Sequence, residues 1–173
     1  MVKITTKRLI LRPFTLEDLD DFYEYAKVKG VGELAGWVHH KNKDESLEIL
    51  KIFINSEEYA IVCKENNKVI GSVGVRDCSI YDNKFGKEIG YVLSKDYWGQ
   101  GLMPEAINSI VEYYFKQFDI EYISCNAYKR NKQSQRVMEK AGFKYYKDTN
   151  LKTRYNTVED AIITIKFNVY KNK

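Results

Sequence analysis

Apolar and polar positions alternate through residues 4–13, the period of a strand with one covered face. The pattern then turns helical. Thr15 and Asp18 approximate a capping box, and Phe14 with Leu19 fits a hydrophobic staple, so a helix is expected from Thr15 to about Lys27. Periodicity lapses over residues 28–43, where Gly30, Gly32, Gly36 and Trp37 predict a loop with room for one helical turn. Beyond Asp44, Leu47, Leu50 and Ile54 share a helical face. Residues 59–64 and 69–76 predict strands joined at Asn66-Asn67, a pair suited to a tight hairpin turn. A turn over Asp82, Asn83 and Lys84 leads into another strand, residues 87–93.

In the second half, Met103, Ile107, Ile110, Val111, Tyr114 and Phe118 form a helical stripe. Residues 122–127 predict a short strand. Asn131 is a good N-cap for a last helix, and Gly142 a good C′ residue with Phe143 beyond it. Tyr145, Tyr146 and residues 161–169 supply the final strands. The order is strand, two helices, three strands, helix, strand, helix, strands, which is α+β with a mixed sheet.

Chemistry first enters between the 87–93 strand and the helix that follows it. Trp98, Gly99, Gln100, Gly101, Leu102 and Met103 make a glycine-bearing loop feeding a helix N-terminus, where backbone N–H groups can cradle a pyrophosphate. Gly99 and Gly101 let the main chain approach a ligand closely. Pro104 suits the first helical position, which leaves the amides of Gly101, Leu102 and Met103 to point outward. No Gly-Lys-Ser/Thr follows and no Gly-x-Gly-x-x-Gly is present, which argues against a nucleoside triphosphate or a dinucleotide.

The run Tyr97-Trp98-Gly99-Gln100-Gly101, followed by Glu105-Ala106, resembles the acetyl-CoA pyrophosphate loop of the GNAT superfamily of N-acetyltransferases, and most nearly its ribosomal-protein alanine N-acetyltransferase branch. Three further stretches carry the same resemblance. Lys7-Arg8-Leu9-Ile10-Leu11-Arg12-Pro13-Phe14 resembles the opening strand of that branch, and Glu88-Ile89-Gly90-Tyr91 its central strand. Asn131-Lys132-Gln133-Ser134, running on to Glu139-Lys140-Ala141-Gly142-Phe143, resembles its last helix. Two positions depart from the superfamily pattern. Trp98 stands where Gln or Arg is usual, although Trp is common in this branch. Met103 stands where Gly or Ala is usual and adds bulk beside the phosphates while keeping its N–H.

The resemblance implies one N-acetyltransferase domain over residues 1–173. It implies a GNAT-type, mostly antiparallel sheet of six to seven strands, with a central splay between the Glu88 and Tyr122 strands and about four flanking helices. The pantetheine arm of acetyl-CoA would enter the splay, held by backbone groups of Tyr91, Val92 and Leu93 as an added strand would be. Glu88 would take a proton from the incoming ammonium, directly or through water; read from the residues alone, it is a strand-end Glu paired with a Lys. Ser134 stands where many members place a tyrosine acid, and would either protonate the departing sulfur or only hydrogen-bond it; its plain reading is a first-turn Ser bonded to its own backbone. Asn131 either binds pantetheine, caps the helix, or does both. Trp37, His39 and His40 either line the acceptor pocket or form a solvent-facing loop. Lys129, Arg130 and Lys132 either attract the 3′-phosphate of coenzyme A or are solvated.

Composition sets the remaining bounds. A chain of 173 residues with 44% hydrophobic and 30% charged residues suits a soluble globular protein with a sizeable core. A formal charge of +4 suits an anionic cofactor and, dispersed as it is, argues against nucleic acid. Cys63, Cys78 and Cys125 form no Cys-x-x-Cys pair, which points to a reducing compartment; with no apolar leader or bilayer-length segment, the cytoplasm is expected. His39 and His40 are adjacent and lack partners at metal spacing, so no metal is expected.

The expectation is therefore an acetyl-CoA-dependent N-acetyltransferase, monomer or homodimer, moving acetyl to a protein N-terminus or a small amine by direct attack in a ternary complex. The alternative is a non-catalytic acyl-CoA-binding module.

Overall fold

In a computed structural model of the chain, described over residues 1–82 and 84–171, eight strands form one sheet in the order β1-β2-β3-β4-β5-β6-β8-β7. The strands are β1 Ile4–Thr5, β2 Leu9–Pro13, β3 Glu58–Cys63, β4 Val69–Cys78, β5 Gly86–Leu93, β6 Tyr122–Tyr128, β7 Lys144–Lys152 and β8 Val158–Phe167. The helices are α1 Leu19–Ala26, α2 Val31–Leu34, α3 Lys43–Ile54, α4 Leu102–Gln117 and α5 Lys132–Lys140. The architecture is α+β and mixed, as the pattern predicts.

Two local features raise the element counts above those expected. The first strand breaks at Thr6, whose hydroxyl accepts the Leu9 N–H at 2.9 Å, so β1 folds back onto β2 with Ile4 opposite Leu11. The glycine-rich segment closes one helical turn, α2, begun by Gly30 at a φ of 93°. Asn83, centre of the turn expected over residues 82–84, lies outside the described residues.

Local signals set several boundaries. The Asp18 carboxylate accepts the Thr15 N–H at 2.8 Å and so caps the entry to α1. Phe14 and Leu19 join one apolar cluster with Phe22, Tyr25 and Leu50, which seats α1 and α3 on one sheet face. On the other face α4 presents Met103, Ile107, Ile110, Val111 and Tyr114, all at most 3% exposed. Each such buried side chain contributes ~1.5–3 kcal/mol of burial energy. Phe118 falls outside that stripe: it is the α4 C-cap, 42% exposed, stacked on the Tyr114 ring. At the end of α5, Phe143 N–H bonds to Met138 C=O and Gly142 N–H to Glu139 C=O, with Gly142 at a φ of 82°. That is the bonding of a Schellman motif.

Every strand pair is antiparallel except β5–β6, which runs parallel. That pairing covers only Gly86 to Ile89 against Tyr122 to Cys125. Beyond Ile89 the two strands part, whereas β5 stays paired with β4 as far as Leu93. The sheet therefore splays between the Glu88 and Tyr122 strands, where the resemblance implied. Among the described residues, no helix is long and apolar enough to cross a membrane.

Candidate active site

The glycine loop meets the splay at its open end. Gly99 and Gly101 have φ values of 77° and 74°, a backbone form that suits glycine. Helix α4 starts at Leu102 with Gly101 as N-cap, so Pro104 is its third residue rather than its first. The offset costs no hydrogen bond, because the first-turn N–H groups have no intrahelical acceptor. The N–H groups of Gly99, Gln100, Gly101, Leu102 and Met103 have no hydrogen-bond partner among the described residues. Arg8 braces the loop from behind. Its guanidinium donates to Gln100 C=O at 2.9 Å and to Glu105 at 2.7 Å, and Glu105 also accepts from the Arg8 N–H and the Thr6 hydroxyl. Those bonds hold the Glu105 carboxyl below its usual range against the opposing effect of burial.

A cavity of about 430 Å³ runs from this loop into the splay. Of the residues expected to hold the cofactor, Tyr91, Val92, Leu93, Trp98, Gly99, Gly101, Leu102, Met103, Asn131 and Ser134 line it. Gln100 does not; its side chain turns back to Asp96 C=O. Strand register sorts the β5 main chain. Ser94 N–H bonds to Ile70 C=O, so by alternation Val92 directs its N–H and C=O toward Ser72 while Tyr91 and Leu93 direct theirs into the splay. The Leu93 carbonyl accepts from the Trp98 indole at 2.8 Å. Val92 therefore reaches the cavity through its side chain.

Ser134 sits in the first turn of α5. The Asn131 side chain caps that turn by accepting the Ser134 N–H at 3.0 Å, while its amide donor reaches Leu34 C=O at 2.9 Å. Both ends of Asn131 are thus used within the fold. The Ser134 hydroxyl lies 2.8 Å from the Tyr91 hydroxyl. Burial pushes that phenol well above its usual value, and Cys125 reinforces the shift. The Tyr91 side chain had no role in the sequence reading.

Glu88 is partly buried on β5, on the sheet face shared with Gly90 and Val92. It lines neither cavity. Its carboxylate accepts from Asn126 Nδ2 at 2.8 Å, not from a lysine. Because a carboxylate only accepts, this contact fixes the amide orientation and leaves Asn126 Oδ1 buried and without a partner among the described residues. Asn126 was also missed, since its meeting with Glu88 depends on β5–β6 register.

A second cavity of about 240 Å³ lies under α1 and α3 and shares Ala35, Gly90, Tyr91, Val92 and Tyr128 with the first. Trp37 and His40 line it, and His40 bonds to Ser46 at 2.7 Å. His39 instead pairs with Glu33 at 2.7 Å. Glu58 lines this cavity too; burial raises its carboxyl to about 7 despite Ser72, Arg76 and Arg154 nearby.

The basic run after β6 is largely neutralised. Lys129 pairs with Asp148 at 2.8 Å, and Arg130 pairs with Glu159. The cations on the larger cavity are Arg136 and Lys140 from α5, neither of which makes an ion pair among the described residues.

A sequence profile described as an acetyltransferase (GNAT) domain matches residues 8–144. The uncharacterized N-acetyltransferase YnaD of Bacillus subtilis is 29% identical over 154 residues, covering 82% of each chain. Among solved structures, the ribosomal-protein-S5-alanine acetyltransferase of Vibrio fischeri superposes with a TM-score of 0.73 at 22% identity over 98% of both chains. The microcin C7 self-immunity acetyltransferase, solved with acetyl-CoA and AMP, superposes with a TM-score of 0.78 at 18% identity over 94% of this chain and 93% of its own.

Proposed function

The chain belongs to the GNAT acetyltransferase family, and from that premise we propose that it moves an acetyl group from acetyl-CoA to a primary amine by direct attack, both bound across the splay. The observation that carries this reading is the continuity of two cavities at Gly90 to Val92, one ending at the glycine loop and the other under α1 and α3. A ternary complex needs such a junction, so that nucleophile and acyl group meet without a covalent enzyme intermediate.

Acetyl-CoA supplies the activated acetyl group as a thioester. Five free N–H groups from Gly99 to Met103 suit its diphosphate. Tyr91 and Leu93 offer main-chain donors to the pantetheine arm. Arg136 and Lys140 supply the positive charge for the 3′-phosphate.

Glu88 removes the ammonium proton through a water beside Asn126, which holds the carboxylate in place. Ser134 presents its hydroxyl to the departing sulfur from the capped turn of α5. Both acceptor classes expected from the sequence, a protein N-terminus and a small amine, reach the junction from the smaller cavity.

Calorimetric titration with acetyl-CoA tests the cofactor half of the proposal, and release of the coenzyme A thiol with N-terminal peptides and small amines tests the other half. Saturable binding that Gly101→Asp abolishes, with turnover on one acceptor class, supports the reading. Binding without turnover on any acceptor favours the acyl-CoA-binding alternative. No binding at millimolar ligand overturns both.

A further inference from the structure

Glu58, Gly74 and Gly90 stand side by side on three adjacent strands, Glu58 opposite Gly74 and Gly74 opposite Gly90. A Cβ on Gly74 would come 2.2 Å from Glu58 Oε2, so the carboxylate lies across Gly74 toward β5. A Cβ on Gly90 would meet nothing within 4 Å, and the open space above it belongs to both cavities. Neighbouring strands lie ~4.8 Å apart, so one strand spacing separates the carboxylate from the junction of the two cavities.

Ser72 lies beside the carboxylate of this lane, but no cation is paired with it among the described residues. Glu58 is 7% exposed and makes no ion pair among the described residues. Tyr25, 2% exposed, lines the same cavity with its hydroxyl buried beside Ser72. A buried carboxylate without an ion pair is unfavourable, and a cationic ligand placed against it offsets that cost. Arg76 and Arg154 also line the cavity, exposed and without ion pairs among the described residues, while Phe22, Phe53 and Trp37 give it an apolar wall. A volume of about 240 Å³ lies below the ~300–1,000 Å³ of pockets for drug-sized ligands.

We propose that the acceptor is a small zwitterionic amine, with Glu58 receiving its ammonium and Arg76 and Arg154 its oxyanion, a carboxylate or a phosphate. This inference rests on the acetyltransferase reading and narrows its acceptor. A peptide N-terminus has no oxyanion close to its amine, and a diamine would bring a second cation against two arginines. Glu58 acts here as a specificity residue, while proton removal stays with Glu88.

The charge state of Glu58 sets a pH dependence. Its carboxyl, raised to about 7 by burial, is neutral below that pH and then attracts the ammonium less. The other titratable groups on the cavity are Tyr25 from α1, His40, Arg76 from β4, Tyr91 from β5, Tyr128 from β6, and Lys152 and Arg154 from the β7–β8 hairpin. Acceptor KM should therefore rise as pH falls through 7.

The test follows thiol release at saturating acetyl-CoA for paired acceptors: L-phenylalanine with phenethylamine, and phosphoethanolamine with ethanolamine. Putrescine and an alanine-initiated tetrapeptide complete the panel. One zwitterion should exceed its anion-free partner by about tenfold or more in kcat/KM, and which pair responds separates carboxylate from phosphate. Glu58→Gln should raise that KM about tenfold with unchanged calorimetric affinity for acetyl-CoA, and Arg154→Ala should erase the zwitterion's advantage. Gly74→Ala, whose methyl collides with the carboxylate, should reproduce the Glu58→Gln defect. Preferred turnover of the peptide or putrescine, no turnover across the panel, or an unchanged KM in Glu58→Gln overturns the assignment. Failure of acetyl-CoA itself to bind overturns the acetyltransferase reading, a distinguishable result.

Discussion

The Tyr91 hydroxyl lies 2.8 Å from the Ser134 hydroxyl and donates to the Ser134 carbonyl at 3.1 Å. Serine is a poor acid for a leaving thiolate, so the pair orients a hydroxyl to hydrogen-bond the departing sulfur while solvent supplies the proton. Burial keeps Tyr91 protonated well above its usual range, so its hydrogen bonds to Ser134 persist throughout the neutral pH range. Tyr91→Phe and Ser134→Ala should each lower kcat by about 10- to 100-fold with little change in acetyl-CoA KM. Steady-state kinetics of the double variant should match either single one, because both break the same hydrogen-bonded pair. Additive losses would show that the two hydroxyls act independently.

Arg8 governs the phosphate loop without lining the cavity. It ties Gln100 C=O to Glu105, fixing the direction of the loop N–H groups. Arg8→Ala should weaken acetyl-CoA binding by about 1.5–3 kcal/mol, the worth of a hydrogen bond to a charged group, while far-UV circular dichroism stays native. Calorimetry reads the first effect. Unchanged affinity would mean that the loop is rigid without its brace.

Coenzyme A and dephospho-CoA should separate two sets of cations. Arg136→Ala with Lys140→Ala should weaken coenzyme A binding several-fold at low salt and leave dephospho-CoA binding nearly unchanged. Lys129→Ala should affect neither ligand, since that ammonium is already paired with Asp148. A loss in Lys129→Ala equal to that in the α5 variant would return the 3′-phosphate to the basic run expected from the sequence.

What the sequence made legible is local. The Asn131 cap, the Gly142 terminus of α5 and the Met103-to-Tyr114 stripe each depend on residues within a few turns of one another. The glycine loop was legible for the same reason, although Gly101 as N-cap moved Pro104 two places into the helix. What stayed hidden depends on register between distant strands. Asn126 meets Glu88 across 38 residues, and Glu58 overlies Gly74 only because β3 and β4 pair as they do. The basic run misled because the acids that neutralise it, Asp148 and Glu159, lie 19 and 29 residues further along. Alternation along β5 was visible, yet which residues faced the splay required the ladder to β4.

The same burial that suits Glu58 to an ammonium should make the free protein sensitive to pH. The raised value, about 7 in place of 4.5, means that the folded state holds this proton more tightly than the unfolded chain does. The stabilising contribution of the protonated form is therefore lost as pH rises from 4.5 through 7, and above 7 the fold carries a buried charge. Glutamine keeps the shape and never ionises. Glu58→Gln should stabilise the protein at pH 8 relative to its effect at pH 5 by on the order of 2 kcal/mol, read from urea melts at the two pH values. A zwitterionic acceptor added at pH 8 should raise the wild-type midpoint and leave the Glu58→Gln midpoint almost unmoved. An equal effect of the substitution at both pH values would mean that Glu58 is ionised throughout and already compensated by Arg76 and Arg154, leaving less attraction for an incoming ammonium.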